Sequence, residues 1–191
     1  NLAITGIYFL TPKIFDQIKK LKPSWRNEFE IVDALQLLLE TKNNISYEII
    51  TEFWKDTGTP EDIIHANRKI LENLETKNIN IQEKNVELIG KISIGKNTVV
   101  RNTCKIIGPA IIGENCLIEK KSIIGPNISI GNNCKIANSQ LENSIIMDNC
   151  IIDSEISIEN SIISHNCHVI SKKEKLEKKN FLLGEGTKLT F

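Results

Sequence analysis

Along the second half of the chain an aliphatic residue returns at every sixth position: Leu88, Ile94, Val100, Ile106, Ile112, Ile118, Ile124, Ile130 and Ile136. A period of six fits neither the ~3.6 of a helix nor the alternation of one long strand, so a repeat must generate it. Each unit reads aliphatic, any, any, any, small, any. Thr98, Cys104, Ala110, Cys116, Ser122 and Cys134 hold the small position, and Ile128 and Gln140 depart from it. Gly95, Gly113, Gly125 and Gly131 follow an aliphatic residue, where a tight corner favours a residue without Cβ. The pattern predicts a parallel β-helix in which each short strand makes one side of a triangular coil and stacked coils share one core. Three units make a coil, so Gly95, Gly113 and Gly131, spaced 18 apart, are expected above one another at one corner. Ile146, Ile152 and Ile158 resume the spacing ten residues after Ile136, which predicts one shortened corner before the helix ends near Val169. Leu183–Leu189 fits the template again and is read as the return that closes the last coil, with Phe181 and Phe191 as plugs. Ser171–Asn180, with five lysines and two glutamates, reads as a solvated surface loop, and the polar run Thr76–Lys84 as a linker.

The first part follows other periods. Ile4–Leu10 reads as a buried strand. Thr11-Pro12 then supplies an N-cap and first-turn proline for a helix with Ile14, Phe15, Ile18 and Leu21 on one face, ending near Pro23. Glu28–Glu40 predicts a helix burying Phe29, Val32, Leu35 and Leu39, and Ile45–Thr51 has the β-branched character of a strand. Thr59-Pro60, with Asp62 in the capping-box position, opens a helix whose buried side carries Ile63, Ile64, Ile70, Leu71 and Leu74. Alternating strands and helices make this an α/β piece, with too few strands for a sheet that stands alone. Eight of the ten aromatic residues lie between Tyr8 and Trp54 and none between Lys55 and Asn180, so the two parts have different cores. The division is placed at residues 1–76 and 77–191. The chain begins at Asn1, within the first strand pattern, and a preceding segment is expected.

Composition narrows the partners. Lysine plus arginine equals aspartate plus glutamate at 24 each, which gives no basic excess for nucleic acid. No apolar run approaches the ~18 residues that span a bilayer and no signal-peptide pattern opens the sequence, so no membrane partner and a cytoplasmic location are expected. Cys104, Cys116 and Cys134 occupy the small inward position and are read as buried fillers, because no CxxC pair or His-Cys spacing argues for zinc.

Chemistry has few places to sit. His65 falls on the polar side of its helix, and His165 and His168 lie in the irregular last coil, read as surface or cap residues. Trp54-Lys55-Asp56-Thr57-Gly58 is richer. Taken alone, Asp-Thr-Gly is a turn capped by the aspartate; its likeness to the aspartic-protease triplet fails because Thr59-Pro60 starts a helix at once. A carboxylate between a strand end and a helix start is where open α/β sheets place ligand and metal groups.

Ala3-Ile4-Thr5-Gly6-Ile7-Tyr8-Phe9, Pro23-Ser24-Trp25-Arg26-Asn27-Glu28-Phe29-Glu30-Ile31-Val32-Asp33 and Trp54-Lys55-Asp56-Thr57-Gly58-Thr59-Pro60 resemble, in order and spacing, the C-terminal half of a sugar-phosphate nucleotidyltransferase. The nearest kind is the long form of glucose-1-phosphate thymidylyltransferase. The resemblance implies the C-terminal part of a Rossmann-like nucleotidyltransferase domain followed by a left-handed parallel β-helix of hexapeptide repeats, a handedness that periodicity alone does not reveal. It also implies site residues. Ile4 and Gly6 would line the sugar pocket through their backbone, Arg26 would contact the sugar phosphate, Trp54 would pack near the sugar, Glu28 would orient the site and Asp56 would bind Mg²⁺. The family usually has Gly where Asn27 stands and Thr where Val32 stands. Read from the residues alone, Arg26 is a surface ion pair with Glu28 or Glu30.

The activity implied is transfer of dTMP from dTTP to glucose 1-phosphate, giving dTDP-glucose and pyrophosphate, with sugar 1-phosphate and nucleoside triphosphate as partners in a longer parent. The family's Gly-rich nucleotide loop, its lysines and its first metal-binding Asp have no counterpart here, so the fragment alone is expected to be inactive. Alternatives are a UTP-dependent uridylyltransferase of the same superfamily, a hexapeptide acyltransferase, or a non-catalytic oligomerisation module. Hexapeptide β-helices associate side by side, so a homo-oligomer, trimer or dimer, is expected.

Overall fold

The computed structural model describes residues 2–76, 83–170 and 178–190. It divides into two compact units, Asn1–Trp54 and Lys55–Phe191. No described helix is long and apolar enough to cross a membrane.

In the first unit, helix α1 (Lys13–Ile18) packs on α2 (Ile31–Glu40). Ile14, Ala34 and Leu38 form the buried centre, flanked by Leu21, Ile31 and Leu35. The contact follows one narrow stripe at helical spacing. Phe29, Val32 and Leu39, expected on the buried face of α2, are exposed, as is Phe15 of α1. The reason is that α2 begins at Ile31 and turns the 31–34–35–38 stripe, not the 32–39 one, toward its single partner helix. Thr11 does not cap α1 through its side chain; the N-cap is Pro12, and Ile14 N–H donates to the Thr11 carbonyl at 3.1 Å. Ile4–Leu10 and Ile45–Thr51 form no strand, and Ile4, Ile7, Phe9, Tyr47, Ile49 and Ile50 are exposed. Their β-branched composition is that of strands, but a strand exists only through a hydrogen-bonded neighbour, and no described residue supplies one.

The second unit opens with α3 (Pro60–Glu72) and continues, among the described residues, as three parallel sheets, each of six strands. One sheet stacks Glu87–Ile89, Lys105–Ile107, Ile123–Ile124, Gln140–Glu142, Ser157–Glu159 and Lys178–Lys179. Every strand pairs with the one a full coil away, as in Leu88↔Ile106, Ile94↔Ile112 and Val100↔Ile118. From Ile94 to Ile136 each residue of the aliphatic series is buried, and Leu88 packs against the same core. The architecture is the expected parallel β-solenoid of three-sided coils. The register slip after Ile136 is two corners, each one residue short, because Leu141 and Ile146 take the next inward positions; a third short corner separates Ile158 from Ile163. Ser139, Ser144 and Ser161, all buried, then assume the small position in place of Gln140.

The closing return forms as expected: Leu182–Leu183 pairs with Ile162–Ile163, and Lys188–Thr190 with His168–Ile170. Phe181 packs against the core as a plug. Of the lysine-rich excursion, Lys178–Lys179 is a strand paired with Ser157–Ile158 rather than loop, because the coil must enter this sheet before it can close. Residues 171–177, most of the linker at 77–82 and Phe191 lie outside the described residues.

Two ladders mark one corner. A Cβ on Gly95 would lie 2.4 Å from Gly113 C, and one on Gly113 would lie 2.6 Å from Gly131 C, so this stack admits only glycine. Gly113→Ala is therefore expected to destabilise the unit by about 1–3 kcal/mol, seen as a lower Tm; an unchanged melt would mean that the stack is looser than described. The positive-φ positions at the same corner are asparagines, Asn97, Asn115, Asn133, Asn149 and Asn166, at φ 56–59°. Asparagine is the non-glycine residue best suited to that region. Asn97 Nδ2 donates to Asn115 Oδ1 at 3.1 Å and Asn149 Nδ2 to Asn166 Oδ1 at 3.2 Å, tying coil to coil.

All five cysteines are buried free thiols, as the filler reading expects for Cys104, Cys116 and Cys134. Cys116, Cys134, Cys150 and Cys167 stack in one column. Each donates to a carbonyl of the next coil, as in Cys116 Sγ to Gly131 O at 3.0 Å and Cys167 Sγ to Gly184 O at 3.0 Å. Burial pushes the Cys104 thiol above its ordinary value.

Candidate substrate and metal residues

In the first unit, Arg26 sits on a turn built by Ser24 and Asn27. Ser24 N–H donates to the Glu28 carbonyl at 2.8 Å, and Asn27 N–H donates to the Ser24 carbonyl at 2.9 Å. Asn27 has φ +60°, which explains why a glycine suits this position and why asparagine can replace it. Arg26 N–H donates to Ser24 Oγ at 3.2 Å, so the turn holds the arginine backbone in place. Its guanidinium reaches Glu30, with Nε at 3.2 Å and Nη2 at 2.8 Å from the same Oε1, and lies 5.7 Å from the Trp25 ring centroid. Hydrogen bonds from Arg26, then from Ser24, hold the Glu30 carboxyl below its ordinary value. Glu30 is thus the partner that residue spacing left open. The i,i+4 interval was the available signal.

The other expected site residues are exposed: Ile4, Gly6, Glu28 and Trp54. Gly6 has φ +80°, and a Cβ there would meet nothing within 4 Å, so its backbone is open to a ligand. Among the described residues none of these four shares a side-chain hydrogen bond or ion pair with Arg26.

In the second unit, Asp56 is exposed on the segment that leads into α3, and its carboxylate accepts no hydrogen bond and joins no ion pair among the described residues. Its neighbours are tied down. Lys55 Nζ lies 2.5 Å from Asp62 Oδ1. Thr59 Oγ1 donates to Asp62 Oδ2 at 2.7 Å and accepts from Asp62 N–H at 3.2 Å, the capping interaction expected from the sequence. Hydrogen bonds from Lys55, then from Thr59, lower the Asp62 pKa. Sequence reasoning found the cap but missed Lys55, because the pair joins a loop to a helix across an interval with no periodic meaning.

Helix α3 is itself fastened to the β-helix. Ile64 and Leu71 are buried, whereas Ile63 and Ile70, expected beside them, are exposed because they lie off that stripe. Ser129 Oγ donates to Asn67 Oδ1 at 2.6 Å, and Arg68 Nη2 donates to Asn143 Oδ1 at 2.8 Å. Lys91 Nζ donates to the Glu72 carbonyl at 2.8 Å, placing a cation at the helix C-terminus.

No three His, Cys, Asp or Glu side chains among the described residues gather as a metal cluster. One unpaired carboxylate still suits Mg²⁺, which binds through one or two carboxylates and completes its shell with phosphate oxygens and water. His65 and His165 are exposed and His168 is half-buried; His165 Nδ1 lies 3.8 Å from Asp148 Oδ2.

Residues 1–73 match the nucleotidyl transferase family, and residues 106–190 match the GMPPB C-terminal domain. The chain is 38% identical over 111 residues to glucose-1-phosphate thymidylyltransferase of Streptomyces antibioticus, covering 58% of this chain and 31% of that protein. The Streptomyces griseus protein of the same name is 33% identical over the same shares. The low-salt glycan biosynthesis nucleotidyltransferase Agl11 of Haloferax volcanii is 41% identical over 97 residues, 51% of this chain and 27% of that protein. The match spans about a third of the length of these curated relatives.

Proposed function

We propose that this chain, which fits a fragment of the glucose-1-phosphate thymidylyltransferase family, serves a sugar-1-phosphate nucleotidyltransferase that uses dTTP and glucose 1-phosphate. The observation that carries the reading is the order of two matches in one chain, a nucleotidyl transferase segment followed by a β-helical domain. An oxygen of the sugar 1-phosphate attacks the α-phosphorus of the nucleoside triphosphate, the bond to the β-phosphate breaks, and pyrophosphate leaves. No general base is needed, because a phosphate monoester with a second pKa of about 6 is already mostly ionised at neutral pH. Positioning and charge neutralisation carry the rate.

In this reading Arg26 exchanges Glu30 for the sugar phosphate, since its planar fork suits either anion. Ile4 and Gly6 offer backbone groups to the sugar, Trp54 packs near it, and Glu28 orients the site. Asp56 holds Mg²⁺, which when bound would neutralise charge on the reacting phosphates. The protein works in the cytoplasm as a homo-oligomer, dimer or trimer, joined through β-helix faces.

The test is nucleotide transfer by the whole protein that contains this chain, with dTTP, UTP and GTP offered in turn against glucose 1-phosphate and release of pyrophosphate measured. A preference for dTTP supports the reading. A preference for UTP would move the protein to the uridylyltransferases, and no pyrophosphate from any pair would overturn the class.

A further inference from the structure

The two oxygens of Asp62 are divided between the two ends of one short segment. Oδ1 takes Lys55, the residue before Asp56, at 2.5 Å, and Oδ2 takes the Thr59 hydroxyl, three residues after Asp56, at 2.7 Å. The carboxylate therefore acts as a buckle across Lys55–Thr59, with Asp56, Thr57 and Gly58 in the closed span. The buckle is mounted on a fixed base, because α3 is held to the β-helix by hydrogen bonds of Asn67, Arg68 and the Glu72 carbonyl. A functional group is best positioned when rigid elements support the segment that carries it. The pair also settles which carboxylate Lys55 serves. Its ammonium is taken by Asp62, and Asp56, the adjacent residue, is left without a cation among the described residues.

We propose that Asp62, acting through Lys55, is the positioning residue for Asp56: the ion pair closes the loop, so that Asp56 presents its unpaired carboxylate to a divalent cation from a fixed place. The inference rests on the role given to Asp56 above. The competing account makes Asp62 a helix cap and nothing more. Lys55→Met separates the two, because it removes the buckle and leaves both Thr59 hydrogen bonds of the cap in place.

The probe is Mn²⁺, titrated into the full 191-residue chain labelled with ¹⁵N, in wild type, Lys55→Met, Asp62→Asn, Asp62→Glu and the Lys55→Met/Asp62→Asn pair. In wild type, paramagnetic broadening is expected to centre on the Asp56–Gly58 amides. Each single substitution should raise the Mn²⁺ needed by about tenfold, the lower end of what loss of an outer partner costs a metal site. The double variant should be no worse than either single one, since both remove the same contact. Asp62→Glu should restore part of the effect, and amide-exchange protection along α3 should survive in Lys55→Met. In the whole protein the Mg²⁺ giving half-maximal nucleotide transfer should rise by the same factor, with kcat at saturating Mg²⁺ less affected. Broadening that ignores Lys55→Met, adds between the two sites, or centres away from Asp56 would overturn the proposal. Absence of nucleotide transfer by the wild-type whole protein would instead overturn the functional reading, and the Mn²⁺ titration would still decide this one.

Discussion

Ile112→Asp is expected to be among the most damaging single substitutions in the chain, unfolding the β-helix under conditions in which the parent sequence melts cooperatively. Ile112 is 2% exposed and stands in register between Ile94 and Ile130. Loss of a buried isoleucine side chain alone costs about 2–5 kcal/mol, and a carboxylate with no partner in an apolar column adds a desolvation cost. A total of about 5 kcal/mol or more is comparable with the whole stability of a domain, because net stability is a small difference between large terms. The substitution cannot be absorbed by fraying, since coils stack on both sides and stability passes through each interface in turn. Leu117→Asp is the control. Leu117 is half-buried, one residue before the buried Ile118 and on the opposite side of its strand, so its loss should be a fraction of the Ile112 effect. Thermal melts followed by β-type circular dichroism decide the matter: comparable losses in both variants would mean that the inward and outward assignments are wrong.

If Asp56 holds the metal as proposed, Asp56→Asn, made in the whole protein, is expected to lower kcat on the order of a hundredfold or more, because it would remove a charge that neutralises the reacting phosphates. The exposed, unpaired state of Asp56 makes this a clean substitution, as no described ion pair is broken with it. Arg26→Ala should act on the other substrate. A charge-assisted hydrogen bond contributes about 1.5–3 kcal/mol, so KM for the sugar phosphate should rise about tenfold or more while the nucleotide KM stays near wild type. Glu30→Gln supplies the complement. If Arg26 must leave Glu30 to grip phosphate, weakening that pair should lower KM for the sugar phosphate or leave it unchanged. Steady-state kinetics with each substrate varied in turn will show whether the roles hold: near wild-type kcat in Asp56→Asn, or a nucleotide-specific defect in Arg26→Ala, would reject them.

The site was legible unevenly. The Asn27 position, where the family usually has glycine, proved to be a left-handed turn residue, so that departure preserves the loop geometry. The Thr59 cap was readable because capping depends on neighbours within one turn of helix. The Lys55–Asp62 and Arg26–Glu30 pairs were harder to assign, since charged residues crowd both segments and only coordinates decide which carboxylate meets which cation.

What the sequence determined by itself is the β-helix: which residues face inward, which small residues fill its corners, and that Gly95, Gly113 and Gly131 stack. These properties are local. Each coil repeats the same choice of inward and outward positions, and a coil of similar length lies above and below it, so periodicity maps directly onto burial. Tertiary structure alone decided the rest. The corner lengths after Ile136 depend on how each coil seats on the last, and the left-handed positions of the corner marked by Gly95, Gly113 and Gly131 fell to asparagines that hydrogen-bond between coils. The faces of α1 and α2 were set by a single partner helix. Ile4–Leu10 and Ile45–Thr51 carry the composition of strands and still form none, because a strand's hydrogen bonds belong to its neighbour as much as to itself.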